Sequence, residues 1–185
     1  MKKLVILAVA FPLLFTSCKM VPRSAYRDKV LYTRVNMWYD YDTYYGCKIK
    51  STNYHNGQRL PVGTKVTVTE AFYDRINFKA IDTGQTFNLY NVRKYTVVPI
   101  RELFSRMFSE TNDLDNVHFT EQEMNAIRRG KIEIGMSKDA VLMSYGYPPA
   151  HRTANLSYMT WVYWHNRFNT ISVEFLDDKV VEIKN

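Results

Sequence analysis

The sequence predicts an α+β protein in which a small β-rich unit precedes a two-layer unit of two helices and three strands. Three observations lead there. Short runs of alternating apolar and polar residues recur across residues 29–99, separated by Gly, Asn and Asp clusters. Residues 120–146 hold two segments with helix-start and helix-stop residues at their ends. Residues 158–184 read as three strands, clearest where Ile171, Val173 and Phe175 alternate with Ser172 and Glu174.

The chain has 185 residues, 46% of them hydrophobic, enough for one core or two small ones. Met1, Lys2 and Lys3 make a positive start, residues 4–15 are an apolar run too short to span a bilayer comfortably, and Thr16, Ser17 and Cys18 close it with small residues. Residues 1–17 therefore read as a secretory signal. Its end resembles a bacterial lipobox, with Phe15 where that pattern prefers Leu, which implies cleavage before Cys18 and a covalent lipid on its sulfur. Acyl chains contribute ~0.8 kcal/mol per buried CH₂, so the lipid would anchor the chain without a membrane-spanning helix. An ordinary cleavable signal is the plainer alternative. Lys19 in the next position resembles the sorting signal for the outer membrane, which places the anchored chain on the periplasmic face.

Loss of Lys2 and Lys3 would lower the basic count from 25 to 23 against 18 acidic residues, a net charge of +5. Lys19, Arg23, Arg27 and Lys29 hold part of it beside the expected anchor, where a basic residue is worth ~1 kcal/mol at an anionic lipid surface. A solvated tether over residues 18–28 is the other reading. No basic stripe with interleaved aromatic residues is visible along the chain, so nucleic acid is not expected as a partner. With Cys18 lipidated, Cys47 has no partner; it reads as a small buried apolar residue, or else as an intermolecular thiol.

From residue 29 onward the elements follow in order. Strands are expected over residues 30–37, 47–54, 65–72, 75–81 and 86–90, with a turn at Asp82, Thr83, Gly84 and Gln85. Residues 100–108 show helical periodicity, with Leu103, Phe104, Met107 and Phe108 on one side; with the polar run 109–116 they read as a linker over 100–119. Thr120 and Glu123 form a capping box, and Gly130 ends that helix. Ser137 caps the next helix, Asp139 suits its first turn, Val141, Leu142 and Tyr145 share a face, and Gly146 with Pro148 ends it. Asp177 and Asp178 make the last tight turn.

Two resemblances sharpen this outline. Residues Ile132, Gly135, Met136, Ser137, Lys138, Val141, Gly146 and Pro148, then Trp161 to Trp164, then Ile171 to Ile183, stand in an order similar to the SmpA/OmlA (BamE-like) outer-membrane lipoproteins. That resemblance covers residues 120–185 and implies an α-α-β-β-β domain and a place beside the β-barrel assembly machine. Members are little more than this domain, whereas this chain carries a β-rich unit ahead of it. Leu60 to Val66 resembles the lead into a central strand of an SH3-like small β-barrel, Trp38 to Tyr41 the aromatic opening of its first long loop, and Tyr90 to Tyr95 the helical turn before its last strand. That resemblance covers residues 29–99 and implies recognition of peptidoglycan.

The four histidines lie outside any metal-binding spacing, no nucleophile elbow or glycine-rich phosphate loop occurs, and the carboxylates form no acid/base pair. The reading is a protein without catalysis or cofactor that works by binding. Tyrosine and tryptophan suit interfaces because they join a large contact area to a polar handle. The expected interaction surface is therefore Trp38, Tyr39, Tyr41, Tyr44 and Tyr45, joined by Trp164 and Arg167, with core packing as the rival role for about half of them. The leading expectation is an outer-membrane lipoprotein that is an accessory or scaffold in outer-membrane protein assembly or envelope integrity. The alternatives are a peptidoglycan-binding envelope lipoprotein acting through the SH3-like unit, and an inhibitor, since helix-on-meander topology also resembles the β-lactamase inhibitor fold.

Overall fold

Strands β1 (Leu31–Thr33) and β2 (Met37–Asp42) are separated by three residues in the chain and by four other strands in the sheet they share. A flat sheet would put them about 24 Å apart at ~4.8 Å per strand, while four Cα steps span at most ~15 Å. The sheet must curl. The computed structural model describes residues 20–185 apart from 45 and 167. The expected signal, Cys18, Tyr45 and Arg167 lie outside the described residues.

Among the described residues the other strands of this sheet are Gly46–Lys50 (β3), Gln58–Leu60 (β4), Lys65–Ala71 (β5), Arg75–Ala80 (β6), Thr86–Tyr90 (β7) and Phe108–Ser109 (β8), in the order β4-β2-β3-β7-β6-β5-β1-β8. Neighbours are antiparallel except β3 and β7. Residues 61–64 fasten the curl: Thr33 N–H donates to Thr64 O at 3.0 Å, Gly63 N–H to Thr33 O at 2.8 Å, and the Thr33 hydroxyl to Pro61 O at 2.7 Å. Side chains alternate across the strands, so Met37, Ile49, Ile76, Phe78, Phe87 and Leu89 fill the inside at 1% exposure or less. Each is worth roughly 1.5–3 kcal/mol of burial. Helix α1 (Arg93–Thr96) is a single turn, and α2 (Ile100–Met107) closes the core with Ile100, Leu103 and Met107.

Helices α3 (Asp113–Asn116), α4 (Glu121–Arg129) and α5 (Lys138–Tyr145) lead to a second sheet of β9 (Thr160–Trp164), β10 (Thr170–Leu176) and β11 (Lys179–Lys184), ordered β11-β10-β9. Trp161 is its central core residue, 4.6 Å from the Phe175 ring, with its indole N–H on Leu156 O at 3.2 Å. The chain is thus a mixed α+β protein with one curled sheet and few helices.

Several local expectations differ from the structure, for physical reasons. The strand expected over residues 30–37 is two strands, because Asn36 leaves the ladder to bond residues far along the chain. Trp38 to Tyr41, expected as a loop, belongs to β2, paired on both sides with β3 and β4. The strand expected over 47–54 stops at Lys50, where Asn53 turns with φ +51°. The run 109–116 contains the end of β8 and the Asn112-capped α3. No strand follows α1 directly; α2 does, and Phe108 then pairs with Thr33. Val21 and Tyr26, in the expected tether, pack into the first core.

The capping box is present, and Glu123 does more than cap. One carboxylate oxygen accepts the Thr120 N–H at 3.0 Å, while the other accepts the Ser137 N–H at 2.7 Å and the Lys179 ammonium at 3.2 Å. It joins α4 to the start of α5 and to β11. Burial alone would raise its pKa; the hydrogen bonds from Ser137 and Thr120 outweigh burial and hold it at about 2. The unfolded chain takes up this proton near 4.5, so the stability Glu123 contributes is complete above that pH and is lost as pH falls towards about 2. Glu123→Ala should destabilise by about 2 kcal/mol at neutral pH through the orphaned N–H groups. Urea unfolding of both proteins should show the gap closing as pH drops below 4.5.

Gly146 ends α5 with φ +84°, and a Cβ there would collide with the Asn53 side-chain nitrogen. Gly146→Ala should cost about 2–3 kcal/mol, combining backbone strain with a displaced Asn53. Thermal unfolding checks it, and a loss below about 1 kcal/mol would remove this contact from the account.

Candidate functional site

Two features stand out where the sheets meet. The first is a polar seam. Asn36, 1% exposed, donates its amide to Ile127 O at 2.7 Å and Ser144 O at 2.9 Å, and its oxygen accepts the Val62 N–H at 2.9 Å. Asn53 accepts the Trp38 N–H at 3.2 Å and donates to Tyr145 O at 3.0 Å. The glycine that ends α4 seats the other flank: a Cβ on Gly130 would lie 2.9 Å from the Trp38 ring and 2.7 Å from the Arg59 guanidinium.

His55 sits in this seam between rings. Its centroid is 4.0 Å from Trp38, edge-on, and 3.4 Å from Tyr145, stacked. Because a carbonyl only accepts, the Nε2 atom 3.1 Å from Tyr145 O carries the proton, which leaves Nδ1 buried and without a partner. Burial pushes the His55 pKa down to about 3, a cost that the hydrogen bonds to backbone only partly offset. Burial also raises Tyr145 to about 12 and Tyr163 well above its ordinary value. All three shifts have burial as their main cause, and the seam's hydrogen bonds hold the first sheet against α4 and α5.

The second feature is a surface. The outer faces of β3, β7 and β6 present Lys48, Lys50, Tyr90 and Arg75, because these positions alternate with the core residues. The Arg75 guanidinium lies 4.6 Å from the Phe72 ring and 5.8 Å from Tyr90, and the Lys48 ammonium 4.9 Å from Tyr90. Lys50 stands beside Tyr90 in register and 5.9 Å from Tyr54. Tyr54 then meets Trp164 at 6.5 Å, Trp164 meets His151 at 6.1 Å and Arg152 at 5.4 Å, and His151 meets Tyr95 at 5.0 Å, with Lys94 over Tyr95. Rings and cations alternate on the first sheet, and a run of rings from Tyr54 through Trp164 and His151 to Tyr95, flanked by Arg152 and Lys94, continues to the second. Among the described residues Lys48, Lys50, Arg75, Lys94 and Arg152 form no ion pair, whereas Lys29, Arg34 and Arg106 elsewhere do.

The expected surface residues divide between these features. Trp38 is half-buried in the seam. Tyr39 is core, its ring 5.1 Å edge-on to Phe87 and its hydroxyl on Gln58 at 2.6 Å. Tyr41 and Tyr44 are exposed at the β2–β3 turn, and Trp164 is half-buried within the alternating surface. Tyr45 and Arg167 are outside the described residues. Linear spacing hid the basic-aromatic surface, since its members lie on β3, β6, β7, β9, α1 and three loops; the only local sign is the Lys48, Lys50 alternation. Cys47 is buried, with burial raising its pKa and the Gln85 amide bond lowering it. Among the described residues no group of His, Cys, Asp and Glu is placed to hold a metal ion, and no helix is long and apolar enough to cross a membrane.

The fold is that of a mixed α+β protein with a curled sheet and an outward face of rings and cations. Comparison with family models, with curated proteins and with solved structures finds no match to the chain.

The pH response of the seam follows from His55. Above its ordinary value of 6.5 both native and unfolded forms are neutral, and stability is full; below it the unfolded chain gains a proton that the native seam refuses until about 3. Stability therefore falls as pH drops from 6.5 towards 3. His55→Phe should flatten that limb by up to one proton in urea unfolding followed across this range, and an unchanged slope would show that His55 is not its source.

Proposed function

We propose that this chain is a lipid-anchored protein of the bacterial outer membrane, facing the periplasm, that acts by binding as an accessory or scaffold in outer-membrane protein assembly or envelope integrity. The observation that carries the reading is the alternating surface of unpaired cations and half-buried rings. It offers a partner charge and contact area.

The likeness to SmpA/OmlA (BamE-like) proteins over residues 120–185 is supported by α4 and α5 lying against a three-stranded meander around Trp161. The likeness to an SH3-like barrel over residues 29–99 is supported by the curl of the first sheet. The anchor reading rests on residues 1–18 of the sequence. It has a geometric corollary: Val21 is buried, so an acylated Cys18 would leave two residues, about 7 Å of chain, between lipid and folded body. The body would then sit directly on the headgroups, with Arg23 and Arg27 exposed beside them.

Radiolabelled palmitate should enter the wild-type protein and not Cys18→Ala, and fractionation should move the variant out of the outer membrane or leave it uncleaved. Equal labelling of the two proteins removes the anchor. Recovery of no barrel-assembly component when the lipidated protein is pulled from membranes removes the assembly role.

A further inference from the structure

Beside the alternating surface, a cleft of about 590 Å³ opens between the first sheet and the β9–β10 connection. Its walls are Asp40, Lys50, Tyr54 and Asn56 on one side and Asn166, Phe168 and Asn169 on the other. Its volume lies within the range that takes small ligands, ~300–1,000 Å³. The wall chemistry is specific: three carboxamides, one carboxylate, one ammonium and two rings.

One of the three amides braces its own loop through its oxygen alone. The Asn166 oxygen accepts the N–H groups of Phe168 at 2.8 Å and Asn169 at 2.9 Å, which leaves its NH₂ to donate. The side chains of Asn56 and Asn169 and the carboxylate of Asp40 have no hydrogen-bond partner among the described residues. Lys50 has no ion pair there, and its ammonium lies 5.9 Å from the Tyr54 ring centre. Phe168 is 82% exposed.

We propose that this cleft binds an acidic glycan, with a sugar face against Tyr54 and Phe168, hydroxyls shared among Asn56, Asn166, Asn169 and Asp40, and a carboxylate or phosphate on Lys50. A carboxamide donates and accepts at neighbouring atoms, which matches hydroxyl groups that do both. A concave wall suits a sugar chain better than a lipid surface, which needs a projecting face. A nucleic-acid strand would bring a phosphate to every residue, against one lysine and one carboxylate among the cleft's described residues. The proposal holds whether or not Cys18 is acylated, since it uses the folded body alone.

The test titrates purified full-length protein, solubilised in neutral detergent, with three probes: the disaccharide of N-acetylglucosamine and N-acetylmuramic acid, a phosphorylated lipopolysaccharide core oligosaccharide, and neutral chitobiose. Trp164, 6.5 Å from Tyr54, gives a fluorescence readout, and calorimetry gives a second. At least one acidic probe should bind saturably and at least ten-fold more tightly than chitobiose, and the probe that wins identifies the source as cell wall or lipopolysaccharide. Lys50→Glu and Phe168→Ala should each weaken it ten-fold or more, while Lys79→Glu, exposed on β6 away from the cleft, should leave it unchanged. Phe168 is 82% exposed and lies in neither hydrophobic core, so that variant stays decisive if Lys50→Glu fails to fold. Saturable binding of no glycan, equal binding of chitobiose, or binding of only single-stranded DNA or anionic vesicles overturns the proposal.

Discussion

Two asparagine side chains hold the molecule in one piece. Asn36 and Asn53 together occupy backbone groups of Trp38 in the first sheet, Val62 in the loop after β4, Ile127 in α4, and Ser144 and Tyr145 in α5. A buried amide left without partners costs about 1–3 kcal/mol, so the same groups that join the halves penalise any arrangement that parts them. An apolar contact would tolerate sliding; a set of directed hydrogen bonds does not. This explains why α5 is buried on more than one side, with Val141 and Met143 in the second core and the Met143 and Ser144 carbonyls bonded to Asn36.

Fixing the sheets relative to one another has a functional result. The alternating rings and cations cross from Tyr54 to Trp164, from one sheet to the other, and would be two separate patches if the halves moved independently. The chain's other cations show what a structural charge looks like here: Arg34 is paired with Asp113 at 2.6 Å, and Lys138 with Asp178 at 2.9 Å. Charges without such partners gain little for stability and stay available to an outside anion. The buried donors at Arg75 Nε and Trp164 Nε1, which lack acceptors, add to the same local excess of donors.

What could be read from the sequence was what neighbours in the chain decide. The Ser137 cap, the Thr120 and Glu123 box, the Gly130 stop and the Asp177, Asp178 turn are matters of three or four residues, and β7 and β11 were visible as alternation alone. What escaped was decided at long range. Asn36 looked like one residue in a strand because its partners lie 91 and 108 positions away. Gly130 and Gly146 looked like ordinary helix stops, although each also makes room for a side chain from the first sheet. The surface of rings and cations could not be seen because register, not spacing, brings Lys50 beside Tyr90 and Lys48 beside Asn88.

The position of β8 bears on how such a chain comes to be folded. Strand β1 lies between β5 and Phe108–Ser109, so the earliest strand made waits for one made some seventy-five residues later before its outer edge is covered. Contacts so distant form slowly, because the intervening loop must be closed before the pairing rewards it. During synthesis, Leu31 to Thr33 would present an unpaired margin open to other extended chains. Such an interval is where a chaperone gains its hold and where aggregation begins.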